Sequence, residues 1–344
     1  MATFTSHGHY NMNTTLTKPI PFLRNHLLRD ASWQAVYDAM ALDKAVHVFG
    51  EGARVKARFD APMMLADFPD RIHTMPIAED AIVNFAVGAA LMGTTPLVDL
   101  ISADFLYRAM DGIVNTAAKL EGHTIVIRAE TLTGGPTTGQ RPEAIFAHIP
   151  GLNVVLPSNP RDSYGLMAWA LKHPGVTLFF EDRMISDAVG FDEGDLTYGK
   201  QDFTLGEPMV LPHFTCRMGQ RGVCTVLTYG VMHQRIWQML KDVPKEFDPE
   251  GGLRCDLIDL HSIYPVDWKA LRFYLGRTGR LLIVEPDVLY GGVGAEIAAY
   301  IAETMPHIKI KRLGAPRRTI PAAPSLHHTA LPSMEEIIEV ITKW

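Results

Sequence analysis

From residue 46 to residue 182, short runs rich in β-branched residues alternate with longer stretches of helical periodicity, and this alternation restricts the fold more than any other feature of the chain. Parallel strands need a crossover connection, so the rhythm predicts βαβ units around a mainly parallel sheet. Strands are expected at 46–50, 97–100, 124–129, 153–156 and 176–180, and helices at 79–92, 103–120, 143–148 and 161–172. Ser158 or Asn159 can cap the last helix, and Pro160 suits its first turn.

The rhythm fades between 190 and 222, where glycine, proline and charged residues are scattered, and then resumes. Strands are expected at 223–228, 254–259, 280–284 and 308–313, with helices at 231–240, 267–275, 293–304 and 333–342. A length of 344 residues exceeds what one hydrophobic core usually holds. The fold class expected is therefore α/β with two doubly wound domains. The chain divides into an N-terminal arm (1–30), a first domain (31–189), a linker (190–222) and a smaller second domain (223–344).

The apolar fraction of 47% comes with 20% charged residues, and no run approaches the ~18 apolar residues of a membrane span. A net charge of −6 with the signs interspersed offers no basic stripe for phosphates. Neither a membrane nor a nucleic acid is an expected partner. Cys216, Cys224 and Cys255 form no C-x-x-C pair, which fits a reducing compartment. The arm, with Lys18, Arg24 and Arg29 before its first acid Asp30, is acid-poor like some transit peptides but lacks their dense arginines. A cytoplasmic location is expected rather than a mitochondrial one. His7 and His9 in the arm read as solvated residues.

Glu79 and Asp80 stand at the mouth of a helix whose next residues, Ile82, Val83, Phe85, Ala86 and Val87, predict burial nearly all round. They either complement the helix dipole or include a carboxyl that shares a proton with a ring nitrogen. The strand at 97–100 leads to Phe105 and Tyr107, at the kind of crossing where open α/β sheets bind ligands. Phe105 is either core or a flat face for a heteroaromatic ring. The glycine-rich run 133–141, ending Thr138-Gly139-Gln140-Arg141, is either a flexible surface turn or a loop whose backbone can approach a ligand. Gly291-Gly292-Val293-Gly294 lacks a phosphate-binding spacing and reads as helix entry geometry. Neither H-E-x-x-H nor G-x-S-x-G is present, and His327-His328 has no spaced third ligand, so no protein-held metal is expected.

The segments Pro76-Ile-Ala-Glu79, Ala103-Asp-Phe105, Ile113-Val-Asn115, Ala117-Ala-Lys119, Pro142-Glu-Ala, Phe146-Ala-His148-Ile-Pro-Gly151 and Val155-Leu-Pro-Ser158 form a joint pattern. Taken together they resemble the beta subunit of the 2-oxo acid dehydrogenases, within the transketolase-like superfamily. The match continues through Leu227-Thr-Tyr-Gly230, Leu257-Ile-Asp-Leu260, Thr278-Gly-Arg280, Gly292-Val-Gly-Ala-Glu296 and Leu331-Pro-Ser333, and spans nearly all of 46–344. The resemblance implies a pyrimidine-binding domain for thiamine diphosphate followed by a transketolase C-terminal-like domain. It makes Glu79 the carboxyl that protonates the aminopyrimidine, Phe105 the aromatic that stacks on that ring, and Ile101 a side chain packed near it; the cofactor itself performs the hard chemistry.

Three departures accompany the resemblance. Thr138-Gly139-Gln140 stands where the family reads His-Ser-Gln, which puts acyl transfer to a lipoyl acyltransferase in doubt and leaves Thr138, Gln140 and Arg141 as the expected substrate side. Ser102 replaces a frequent aromatic, and the link 119–123 is short. The groups of a monovalent-cation site are absent around 170–173. The chain also has no Gly-Asp-Gly, so an alpha-type subunit is expected to hold the diphosphate and Mg2+, in a heterotetramer with two copies of each chain. The function implied is decarboxylation of a 2-oxo acid with transfer of the acyl group. A split transketolase-like subunit, with Arg141 binding an anion, and a non-catalytic scaffold are the alternatives.

Overall fold

The computed structural model describes residues 27–53, 61–131, 138–188, 214–217, 222–242 and 255–319, then 321, 323, 326 and 328–344. The arm up to residue 26, His7 and His9, the run 132–137, most of the linker, and His327 lie outside the described residues.

Two sheets organise the chain. The first has the order β10-β5-β6-β4-β3-β1-β2. Its strands are β1 (Val46–Glu51), β2 (Ile72–Met75), β3 (Thr95–Ser102), β4 (Thr124–Thr131), β5 (Leu152–Val155), β6 (Gly175–Asp182) and β10 (Ser262–Tyr264), all parallel but the last. The second sheet has the order β12-β11-β8-β9-β7, built from β7 (Phe214–Arg217), β8 (Cys224–Thr228), β9 (Cys255–Leu260), β11 (Arg280–Val288) and β12 (Lys309–Ala315), with β7 antiparallel. The expected pair of doubly wound α/β units is the observed architecture.

Helices cover both faces of the first sheet. α1 (Leu28–Leu42) packs with α5 (Pro160–Ala170) on one face, around Val36, Met40, Leu97, Tyr164 and Phe179. Asn159 caps α5 by accepting the Asp162 N–H at 3.0 Å, and Pro160 opens its first turn, as expected. Arg128 anchors this face from within: it is buried, pairs with Asp99 at 2.9 Å and with Glu130 and Glu181, and lies 4.9 Å over the Trp33 ring. Two buried carboxylates around one guanidinium satisfy charges that would otherwise oppose folding.

On the other face lies α3 (Glu79–Leu91), with Ile82, Val83, Ala86, Val87 and Ala90 turned inward. The sequence predicted burial all round, but Phe85 is 54% exposed, and Ala81, Gly88, Leu91 and Met92 are exposed with it. The described residues cover only one side of the helix. The single helix expected over 103–120 is instead a 3₁₀ turn (Ala103–Tyr107), a π turn (Gly112–Thr116) and a second 3₁₀ turn (Ala117–Lys119). The cause is tertiary: the Gly112 N–H donates to Asp80 Oδ1 at 3.0 Å, and a Cβ on Gly112 would lie 2.8 Å from the same atom.

The two halves are joined by backbone as well as by side chains. β9 belongs to the second sheet, yet after His261 the chain crosses to the first as β10, pairing with β5 through Ser262↔Val155. Leu156 N–H extends that seam by donating to His261 C=O at 2.8 Å. One apolar cluster runs from Val98, Ile127 and Leu178 under the first sheet to Leu227, Ile258 and Ile283 under the second.

Candidate active site

Three strand ends build the site. β2 and β3 flank β1 in parallel, so the start of α3 and the turn after β3 emerge together at the carboxyl edge of the first sheet, the edge where such sheets bind ligands. Glu79 is the first residue of α3 and only 4% exposed. Its Oε2 accepts from Arg108 Nε at 3.2 Å, while Oε1 takes no hydrogen bond from the described residues. Asp80 does different work: Oδ1 holds Gly112 N–H and Oδ2 accepts from Asn84 at 3.1 Å. Of the two acids at the helix mouth, Asp80 is committed to structure and Glu79 keeps one oxygen open.

The turn after β3 carries the other ring-facing candidates. Ile101 has φ of 67°, the one non-glycine among the described residues in the left-handed region, which is costly for a β-branched side chain. It sits where the β3–β4 register shifts between Asp99 and Ser102, and its N–H donates to Asp99 Oδ1 at 3.3 Å. Ser102 then caps the 3₁₀ turn through the Asp104 N–H, and Phe105 follows, half-buried. Asp104, which sequence reasoning passed over inside its own motif, is the tether of the region. Its buried carboxylate accepts the N–H groups of Gly139 and Gln140, both at 3.2 Å, and so docks the end of the glycine-rich segment onto the aromatic turn. Thr138 is half-buried and the Gln140 side chain is exposed.

Arg141 departs from expectation. Expected to face an anionic substrate, its side chain is 7% exposed and occupied internally by Asp182 and by Glu143 at 3.3 Å. Asp182 Oδ2 also accepts the Val231 N–H at 3.0 Å, at the first turn of α6 (Gly230–Asp242), so the contact lies between the two sheets. A guanidinium paired in this way has little left to offer a ligand. Around it, burial pushes the Glu143 carboxyl up to about 7, against the pull of Arg141 and helped by Asp287. Burial likewise pushes Tyr107 up to about 12, with Glu143, Asp104 and Asp287 adding to it.

A second polar joint was not visible in the sequence. Ser158 and Asp162 from the first half meet His233, Asp259 and His261 from the second, all buried. His261 Nε2 lies 3.1 Å from Asp162 Oδ2 and 3.0 Å from Asp259 Oδ2, and His233 Nδ1 lies 3.1 Å from Ser158 Oγ. Ser158 also donates to Asp259, and Asn159 to Asp162, so these oxygens are already engaged by the chain. Burial lowers the His233 pKa, with Asp259 opposing it. The glycine cluster before α8 (Val293–Thr304) is helix entry as expected: Glu285 accepts the Gly294 N–H at 2.9 Å, filling the helix mouth with the chain's own anion.

A doubly wound, two-domain protein with a half-open buried carboxylate and a pinned aromatic turn at one sheet edge is a well-defined structural class. The family described as "Transketolase, pyrimidine binding domain" matches residues 26–186, and "Transketolase, C-terminal domain" matches 219–337. The 2-oxoisovalerate dehydrogenase subunit beta of Bacillus subtilis (strain 168) is 33% identical over 317 residues, covering 86% of this chain and 90% of that one. The mitochondrial 2-oxoisovalerate dehydrogenase subunit beta 2 of Arabidopsis thaliana is 31% identical over 316 residues, covering 88% and 84%. A solved split-gene transketolase, an inactive beta4 tetramer, superposes with a TM-score of 0.73 at 19% identity over 92% of this chain and 97% of that one, which speaks for the fold. The chain belongs to the transketolase-like family, together with the beta subunits of the 2-oxo acid dehydrogenases.

Proposed function

We propose that this chain is the beta-type subunit of a thiamine-diphosphate-dependent enzyme that decarboxylates a 2-oxo acid and passes on the acyl group. The observation that carries the reading is Glu79, a buried carboxylate with Oε2 held and Oε1 open, at the sheet edge that also presents Phe105. These residues fit an aminopyrimidine. Oε1 would meet a ring nitrogen, Phe105 would offer a flat apolar face, and Ile101 would pack beside the ring. When bound, thiamine diphosphate supplies the carbon nucleophile that attacks the oxo acid. The chain's own part is to hold a proton at Glu79, to orient the ring and to keep water from its apolar face.

A partner completes the site in this reading. The absence of Gly-Asp-Gly from the sequence leaves diphosphate and Mg2+ to an alpha-type subunit, in a heterotetramer of two copies of each chain. The uncovered apolar side of α3, with Phe85 and, just before the helix, Ile77 at 83% exposure, supports a docked neighbour beside Glu79. Thr138 in place of a histidine leaves the acceptor as a lipoyl acyltransferase or another thiol or carbonyl compound. Calorimetric titration with thiamine diphosphate and Mg2+ tests the assignment. Saturable binding is expected only once the alpha-type chain is added, and tight binding by the isolated chain would overturn the divided site.

A further inference from the structure

Arg108 makes a contact that the fold does not need. Its side chain is 73% exposed while its partner Glu79 is nearly sealed off, and a pair with one member in water adds little to stability. The two segments it links are held without it. Asp80 fastens the start of α3 to Gly112, and the Arg108 N–H is itself bonded to Phe105 C=O at 3.0 Å. The guanidinium uses Nε alone, on one oxygen, instead of closing over the carboxylate with a two-pronged fork. A fork would consume both oxygens; a single contact fixes the carboxylate plane and leaves Oε1 available.

We propose that Arg108 is a positioning residue for Glu79, which it orients through Oε2 and keeps balanced as a carboxylate while Oε1 exchanges a proton with a ring nitrogen. The proposal rests on the reading of Glu79 as the carboxyl that meets the aminopyrimidine. In the step concerned, the O–H bond at Glu79 Oε1 breaks and an N–H bond forms on the ring. The negative charge left on Glu79 is balanced by Arg108 at 3.2 Å. The neighbouring acid, Asp80, opposes that charge, but its oxygens are turned to Gly112 and Asn84. Among the described residues, Arg108 is the cation in contact with Glu79. Its removal shifts the shared proton from the ring back to Glu79.

The test uses the complex assembled with its alpha-type partner and compares Arg108→Ala, Arg108→Lys, Glu79→Gln and Arg108→Ala combined with Glu79→Gln. Two readouts are taken: the protons taken up on binding thiamine diphosphate, from calorimetry in buffers of different ionisation enthalpy, and exchange of the thiazolium proton with deuterium. Arg108→Ala should slow exchange by about 3- to 10-fold and change the proton uptake; any fall in melting temperature comes from leaving the buried Glu79 carboxylate without its partner. Lysine should restore most of both. With Gln at position 79, removing Arg108 should change neither, because the two residues act as one unit. Parent-like exchange and uptake in Arg108→Ala, or losses that simply multiply with those of Glu79→Gln, overturn the role of Arg108 and leave Glu79 standing. An unchanged exchange rate in Glu79→Gln alone overturns the reading of Glu79 itself.

Discussion

Arg141 and Asp182 meet in a buried ion pair whose carboxylate also accepts the Val231 N–H at 3.0 Å, so one contact fastens the end of β6 to the first turn of α6 in the other half of the chain. Removing the guanidinium leaves Asp182 buried with its charge unbalanced. Arg141→Ala should therefore destabilise the protein by about 3–5 kcal/mol in urea denaturation. Any remaining activity should show equal losses on charged and neutral substrates. A selective rise in KM for the charged substrate, without loss of stability, would return Arg141 to the substrate side.

Glu79→Gln preserves size and hydrogen bonding but has no carboxyl group to exchange a proton with a ring nitrogen. Thiazolium proton exchange in the assembled enzyme should slow by ~100-fold or more, with cofactor affinity changed far less. Exchange at the parent rate would reduce Glu79 to a helix-end carboxylate.

Ile101 stores strain at the edge of the site. A β-branched residue at φ of 67° costs on the order of 1–3 kcal/mol, which glycine avoids. In Ile101→Gly the melting temperature should hold or rise while affinity for thiamine diphosphate falls, because the side chain proposed to pack beside the ring is lost. A drop in melting temperature with affinity intact would show that Ile101 serves packing alone.

Glu143 predicts a pH dependence. Burial raises its carboxyl from 4.5 to about 7, so the folded chain holds this proton more tightly than the unfolded one. The stability it contributes is fully present below about pH 4.5 and is lost as pH rises through about 7. Glu143→Gln cannot titrate. Relative to the parent, the variant should gain stability as pH rises across that window, by no more than about 3 kcal/mol, and stay level above it. Urea unfolding at a series of pH values gives the difference directly, and a constant offset would contradict the assignment.

Much of the architecture was legible in the residues because periodicity is a local property. Helix α8 falls at 293–304 as read, α5 begins at the expected cap, and the strands of both sheets other than β2, β7 and β10 lie within a few residues of their predicted places. The edge strands β2, β7 and β10 escaped notice because they are three or four residues long and owe their pairing to distant partners. Glu79, Ile101 and Phe105 became candidates through family resemblance rather than through periodicity. The sequence by itself determined the α/β alternation, the two sheets and the acid at the head of α3, since each depends on neighbours within a turn or a strand. Only the tertiary structure decided that Asp80 breaks the 103–120 segment by binding Gly112, that Asp104 docks Gln140, that Arg141 is spent on Asp182 and that Arg108 holds one oxygen of Glu79. Each is a hydrogen bond or ion pair between residues 29 to 41 positions apart, and such bonds form only where packing has already brought both groups together.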